Sequence, residues 1–334
     1  MRICIISGSE GMPDEGMRNF ANHLSNVLSR NHDVMCISAK GCIFSVKIWK
    51  DLKIFNPDII HLFLRPTPFT FAILKVVGHA CGNAKLVASA LQPPQNQTTL
   101  KYLMPYLKPD VVLVQSDETD TTLKSIGVKT QFIPSGVDDE KFCPVDSIQK
   151  GKLRDKYGFS TNAFIVLHVG HINKGRNLEF LKPIARQNGI QVLIVGSTNE
   201  FNFDSSVYND LISAGCHVKR EYIEHIEEIY QLSDCYVFPT CDRSYAIEIP
   251  LSVLEAMSCN IPVISTKYGG LTRIFGSNGA IHFIDTVDDV HDLLSWIREG
   301  NDYGNDPRPF TLDFTWAYVA DSVEEVYREL ILER

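Results

Sequence analysis

Glu255 stands in Leu251-Ser252-Val253-Leu254-Glu255-Ala256-Met257, a run whose apolar spacing predicts a helix that part-buries the carboxylate. Such a carboxylate needs fixed hydrogen-bond partners. The neighbouring hydroxyls of a vicinal diol are one such set, because a carboxylate accepts from both. A glutamate on the exposed side of a helix is the plainer reading of the same letters. A second segment, Leu167-His168-Val169-Gly170-His171-Ile172-Asn173-Lys174-Gly175-Arg176-Asn177, leads from a β-rich run through a glycine turn into an expected helix. Free N–H groups at a helix start attract one anion by only ~0.3–1 kcal/mol. A diphosphate therefore needs full cations. Lys174, with Arg176 beside it, supplies them through charge-assisted hydrogen bonds of roughly 1.5–3 kcal/mol each. An ordinary surface lysine in a turn is the competing reading.

The elements that must carry these residues alternate along the chain. β-rich runs at 3–7, 33–38, 59–64, 85–90 and 111–115 are separated by helical patterns such as 17–30. A second series follows at 165–169, 191–195, 217–219, 235–239 and 262–265, with helices at 226–232 and 251–258. Parallel strands need a crossover long enough to hold a helix, so this alternation predicts an α/β fold. At 334 residues the chain exceeds the ~100–200 residues of one domain. The polar stretch 139–152 has the character of a hinge, which gives expected domains of 1–145 and 155–310. In the tail, 314–334, Trp316, Val319, Val323, Val326, Tyr327 and Leu330 recur at helical spacing, so one amphipathic helix must bury that stripe. Pro250 suits the start of a helix and Asn260 the left-handed residue that ends one.

Composition narrows the function classes. A hydrophobic fraction of 44% and a charged fraction of 22% are those of an ordinary globular protein. A net charge of −8 argues against nucleic acid as the main partner. The nine cysteines contain no Cys-x-x-Cys pair, so neither a disulfide framework nor a structural zinc site is expected. The apolar opening is too short for a signal peptide, and 69–77 falls below the ~18 residues of a spanning helix. The expected location is the cytoplasm.

Taken in order, these segments resemble the retaining GT-B glycosyltransferases of the large family-four group, the glycogen-synthase and sucrose-synthase type also described as glycosyl transferases group 1. That family carries a Glu-x7-Glu pair running into Leu-x-x-Leu-Glu-Ala-Met-x-Cys-Gly-x-Pro-Val-Ile, matched here from Leu251 to Ile264. Glu255 matches the second glutamate, which the resemblance implies holds the donor ribose. The first falls on Ile247, with Glu248 one residue late. Either the loop shifts register so that Glu248 approaches the donor sugar, the reading preferred here, or that contact is absent. The family's diphosphate grip is matched by Gly170, by His171 in place of an arginine, and by Lys174-Gly175, with Arg176 as a compensating cation. Gly269-Gly270 match a turn beside the donor sugar and phosphate, where main-chain N–H groups are presented with no Cβ in the way; the glutamate expected after it is Arg273. Gly16, in Glu15-Gly16-Met17, matches a glycine loop at which the backbone approaches donor phosphate and acceptor. Its spacing is not the Gly-x-Gly-x-x-Gly of dinucleotide-binding proteins. Gln92 stands where many members place a catalytic-site histidine. His61 matches a strand-ending histidine and is read as a core residue.

The resemblance implies two Rossmann-like domains facing a cleft, the donor nucleotide on the C-terminal one, the acceptor on the N-terminal one, and the last helix crossing back to the N-terminal domain. It implies transfer of a sugar from a nucleotide-diphosphate sugar with retention, needing no cofactor and no metal. Glu248, Lys174 and Gln92 would stand at the reacting centre, Lys174 and nearby N–H groups stabilising the departing diphosphate. The acceptor is left unidentified as carbohydrate, lipid-linked or small molecule, and a peripheral membrane contact stays open. A nucleotide-sugar epimerase of the same fold is one alternative. A non-catalytic binding or scaffold protein is the other, motivated by Ile247, His171, Arg273 and Gln92.

Overall fold

The structure is a computed structural model that describes residues 1–8, 16–82, 84–276, 279–299 and 306–333, apart from the side chains of 42–44 and 201. Glu15 lies outside the described residues. The chain forms two units, Met1–Gly136 with Ile247–Ile249 and Trp316–Arg334, and Val137–Ala246 with Pro250–Thr315.

In the first unit six parallel strands, β1 (Arg2–Ser7), β2 (Asp33–Ser38), β3 (Ile59–Leu62), β4 (Lys85–Ala90), β5 (Val111–Val114) and β6 (Thr130–Phe132), lie in the order β2-β1-β3-β4-β5-β6. Between them run α1 (Gly16–Leu28), α2 (Ala39–Phe44), α3 (Val46–Phe55), α4 (Pro68–Ala80), α5 (Gln97–Leu107) and α6 (Asp117–Ser125). Right-handed crossovers from this order place α2 to α6 on one face and α1 on the other. The packing agrees: Cys4, Ile6, Ile60 and Leu62 share a core with Leu52, Phe71, Leu74, Leu100 and Leu123. The opposite face receives the C-terminal helix, Trp316–Leu332, whose expected apolar stripe is buried. Trp316 meets Phe20 of α1 edge-on at 5.2 Å and stacks on His23 at 4.8 Å. Gly136 makes room for it, since a Cβ there would lie 2.6 Å from the indole. His61 is a core residue as read from the sequence. It points to the same face, with Nδ1 2.5 Å from the Tyr327 hydroxyl and Nε2 2.8 Å from Ser89 Oγ. Burial lowers its pKa to about 3, so the ring is neutral.

The second unit is again a six-stranded parallel sheet, of β7 (Phe164–Gly170), β8 (Ile190–Gly196), β9 (His217–Lys219), β10 (Cys235–Phe238), β11 (Val263–Thr266) and β12 (His282–Ile284), in the different order β12-β11-β10-β7-β8-β9. Its helices are α7 (Ser147–Tyr157), α8 (Leu181–Ala185), α9 (Ser205–Ser213), α10 (Ile226–Gln231), α11 (Leu251–Ser258), α12 (Leu271–Phe275) and α13 (Val287–Arg298). Asn260 closes α11 with φ 58°, as its residue type allows. The pattern of the sequence did not reveal β6 and β12, each a three-residue strand at a sheet edge, although β9, equally short and also at an edge, was legible. In both sheets the order reverses beside the first strand, between β1 and β3 and between β7 and β10. Ligands of open α/β sheets bind outside the carboxyl ends of the strands at such a switch point.

Candidate functional site

The carboxyl ends of β7, β10 and β11 carry the loops that hold the second unit's candidate residues, and hydrogen bonds tie those loops together. Asn177 Nδ2 donates to Pro239 O at 3.2 Å, the Thr266 hydroxyl donates to Thr240 O, and the Tyr268 hydroxyl donates to Ala246 O at 2.9 Å. The α-helix expected after Gly170 is corrected to two short 3-10 turns, Lys174–Arg176 and Leu178–Phe180, ahead of the five-residue α8. Asn177, with φ 56°, interrupts the run between them. So short a helix has little macrodipole, which leaves anion attraction here to side chains and individual N–H groups.

Lys174 and Arg176 then part company. Lys174 is exposed, while Arg176 is buried at 7% exposure. Its guanidinium lies 5.9 Å from the centre of the Phe238 ring, and its Nε has no hydrogen-bond partner among the described residues. Burial depresses its pKa, Tyr268 and Tyr236 opposing, and no carboxylate contributes. Arg154 in the same unit, equally 7% exposed, donates instead to Leu232 O, Thr161 O and the Asp234 carboxylate. Gly170 opens space in front of Arg176: a Cβ there would stand 3.1 Å from Arg176 Nη1 and 3.3 Å from His168 Nε2. His168 is buried and neutral, its pKa lowered to about 3 chiefly by burial. Its Nδ1 carries the proton, because the group 2.9 Å away is the carbonyl of Val237. Nε2 is left as an acceptor beside the guanidinium. The carboxyl end of β7 thus has a fixed cation of the kind that attracts a desolvated anion.

Tyr245 and Tyr268 escaped the sequence reading. The Tyr245 ring lies so close over Gly175 that a Cβ would meet it at 2.1 Å, and 41% of the tyrosine remains exposed. Tyr268 precedes Gly269, whose φ of 51° favours glycine, and Gly270 is buried behind it. On α11, Glu255 is part-buried as expected and accepts a 2.6 Å hydrogen bond from the Tyr230 hydroxyl. Burial raises its pKa to about 7 against the opposing effects of Tyr230 and Lys141. No local signal links Glu255 to Tyr230, which arrives from α10. Arg273, where the family has a glutamate, is exposed on α12.

In the first unit the structure gathers Gly16, Gln92 and Glu248 through the segment 247–249. The Ile247 side chain approaches Gly16, 3.4 Å from where its Cβ would be. Glu248 N donates to Leu91 O, next to half-buried Gln92, at 2.8 Å. Its carboxylate is fully buried and accepts from the Thr119 hydroxyl at 2.9 Å. Ile249 is held at both ends of its peptide, its N–H by Gln115 Oε1 and its carbonyl by Ser135 Oγ. His171 is half-buried in the loop after β7.

Comparison with known proteins adds a family pattern to this geometry. The family model described as Glycosyl transferases group 1 matches residues 149–306. The UDP-Gal:alpha-D-GlcNAc-diphosphoundecaprenol alpha-1,3-galactosyltransferase of Escherichia coli is 27% identical over 172 residues, 48% of this chain and 43% of that protein. The chain spans about half the length of the curated relatives it matches. Among solved structures, Anabaena HepE in complex with UDP-glucose superposes with a TM-score of 0.77 at 14% identity, covering 98% of this chain and 100% of that one. Sucrose-phosphate synthase of Thermosynechococcus elongatus gives 0.76 at 16% identity over 100% of both chains. These likenesses give the fold, GT-B, with two Rossmann-like domains.

Proposed function

We propose, from the premise that this chain belongs to the glycosyl transferases group 1 family, that it transfers a sugar from a nucleotide-diphosphate sugar to an acceptor with retention of configuration and without a cofactor or a metal. The observation that carries the reading is Arg176, a buried cation with no carboxylate beside it, behind a glycine at the carboxyl end of β7. An isolated buried charge is costly, and a bound diphosphate is the counter-ion that relieves it. Lys174 is proposed to add the second cation from the exposed side, with the N–H groups around Gly170, His171, Gly269 and Gly270 receiving phosphate and sugar oxygens. As the glycosidic bond breaks, these donors stabilise charge gathering on the leaving diphosphate.

Glu255 is proposed to accept the two ribose hydroxyls, a role its elevated pKa makes dependent on pH. Gly16 and Gln92 are proposed to face the donor phosphate and the transferred sugar. Glu248 has no exposed surface in this structure, so we assign it the positioning of segment 247–249 rather than direct attack. UDP-glucose is a reasonable first donor to try, since it is named in the HepE complex. A lipid-linked acceptor is favoured by the diphosphoundecaprenol acceptor in the name of the Escherichia coli relative. The proposed compartment is the cytoplasm, on the sequence grounds given above.

Calorimetric titration with UDP-, GDP- and ADP-sugars, followed by product analysis with mixed acceptors, tests the reading. One donor should bind and lose its sugar to an acceptor, and Arg176→Met should weaken that binding about 10- to 100-fold. Binding of none would return the protein to the scaffold alternative, and conversion without an acceptor product would indicate an epimerase.

A further inference from the structure

The first unit carries a feature that sugar transfer does not use. Residues 39–108 contain nine Lys and Arg against two Asp and Glu, in a chain whose net charge is −8. Topology collects Lys40, Lys47, Lys50, Lys53, Lys75 and Lys101, because α2 to α5 form one layer on one face of the sheet, α4 packing against both α2 and α5. On α3, Leu52 is buried while Lys47, Lys50 and Lys53 face outward with Val46 and Ile54, the isoleucine 83% exposed. On α4 the outward residues are Phe69, Lys75, Val76 and His79. Lys101 on α5 and Lys108 at its C-terminal cap flank Tyr102 and Tyr106, 74% and 76% exposed.

Elsewhere in the chain lysines meet acids, as Lys124 does Asp120, Lys129 Glu333, Lys150 Asp234 and Lys156 Glu228. No ion pair is recorded for the lysines of this layer among the described residues. Their field therefore extends into solvent without a partner.

We propose that the α3–α4–α5 layer docks on the surface of a bilayer containing anionic lipid. The cations are almost all lysines, which act as diffuse point charges rather than planar forks matched to one carboxylate or phosphate. The apolar tips are dispersed singly between them. That arrangement suits a fluid interface into which each side chain inserts separately, with tyrosines at headgroup depth. A protein partner would instead call for a contiguous apolar patch. Among the described residues no helix is long and apolar enough to cross a membrane, so this contact is peripheral.

Centrifugation of the full chain with vesicles of phosphatidylcholine alone, or of phosphatidylcholine with phosphatidylglycerol, tests this without any sugar donor. A failure here is thus distinct from a failure of the transferase reading. The protein should pellet with the anionic vesicles alone and be released as salt is raised. The combined substitution Lys47→Gln, Lys50→Gln and Lys53→Gln should lower the partition coefficient on the order of a hundredfold, at roughly fivefold per lysine. Tyr102→Ser with Tyr106→Ser should weaken binding further, with the melting temperature unchanged. Should the lysine variant lose its fold, Lys101→Gln with Lys108→Gln probes the same layer from α5. Equal pelleting with both vesicle types, none with either, or full binding by a folded lysine variant overturns the proposal. Displacement by single-stranded RNA with no effect of the tyrosine changes also overturns it, in favour of a nucleic-acid surface.

Discussion

Glu255→Gln should separate the ribose-anchoring reading of that residue from a purely structural one, because its effect depends on pH in a calculable way. With a pKa raised to about 7, the carboxyl is about one-tenth ionised at pH 6 and about nine-tenths at pH 8. The ionised group accepts from both ribose hydroxyls, whereas the protonated one keeps a competing donor. Nucleotide-sugar Kd should therefore fall by close to tenfold between pH 6 and pH 8 in the wild type and stay flat in the variant. Its buried neighbours do not titrate in this window: burial pushes the Tyr230 and Tyr236 phenols and the Cys259 thiol far above their ordinary values. The intact sugar diphosphate, lacking a terminal phosphate proton, also holds its charge.

Stability has the opposite sign. The folded pKa lies above the ordinary 4.5, so Glu255's contribution is complete below 4.5 and is lost as pH rises through about 7. Glutamine escapes that loss, so the variant's melting temperature should overtake the wild type's above pH 7. Isothermal titration with UDP-glucose and thermal melts across the same buffers read both effects. A wild-type Kd that is flat with pH, together with equal binding by the variant, would refute the reasoning.

Other substitutions test other parts of the structure. Arg176→Met retains apolar volume and removes a buried unpaired cation, so thermal stability should hold or rise while donor affinity, by calorimetry, falls about 10- to 100-fold. Gly136→Ala drives a methyl into Trp316 and should cost about 1–3 kcal/mol in urea unfolding. Tyr327→Phe strips His61 of one of two buried hydrogen bonds, for a loss of about 1–2 kcal/mol. His61 itself, with its folded pKa depressed to about 3, contributes stability that is present above its ordinary 6.5 and lost as pH falls toward 3. Unfolding midpoints that do not decline over that range in the wild type relative to His61→Leu would contradict the assignment.

Period and punctuation in the sequence were enough to find most of the strands, the helix at Leu251–Ser258 with its terminating Asn260, and the apolar stripe of the last helix. These features are local: a repeat of two or near 3.6 residues, a proline or an asparagine acts within a few neighbours. The family motifs lie in the same stretches and were legible for that reason. Tertiary structure decided which of those residues are desolvated and by what. Lys174 and Arg176 read alike in sequence, yet one faces water and the other lies against Phe238 of β10, the difference being made by strands far along the chain. Glu248 looked like a loop acid near a donor, and its hydrogen bond to Thr119, 129 residues away, sinks it instead. The lysines of α2 to α5 are scattered through the sequence and share one side of a parallel sheet because right-handed crossovers lay those helices there. Desolvation and shared faces depend on atoms brought together by the fold, and no local pattern records them.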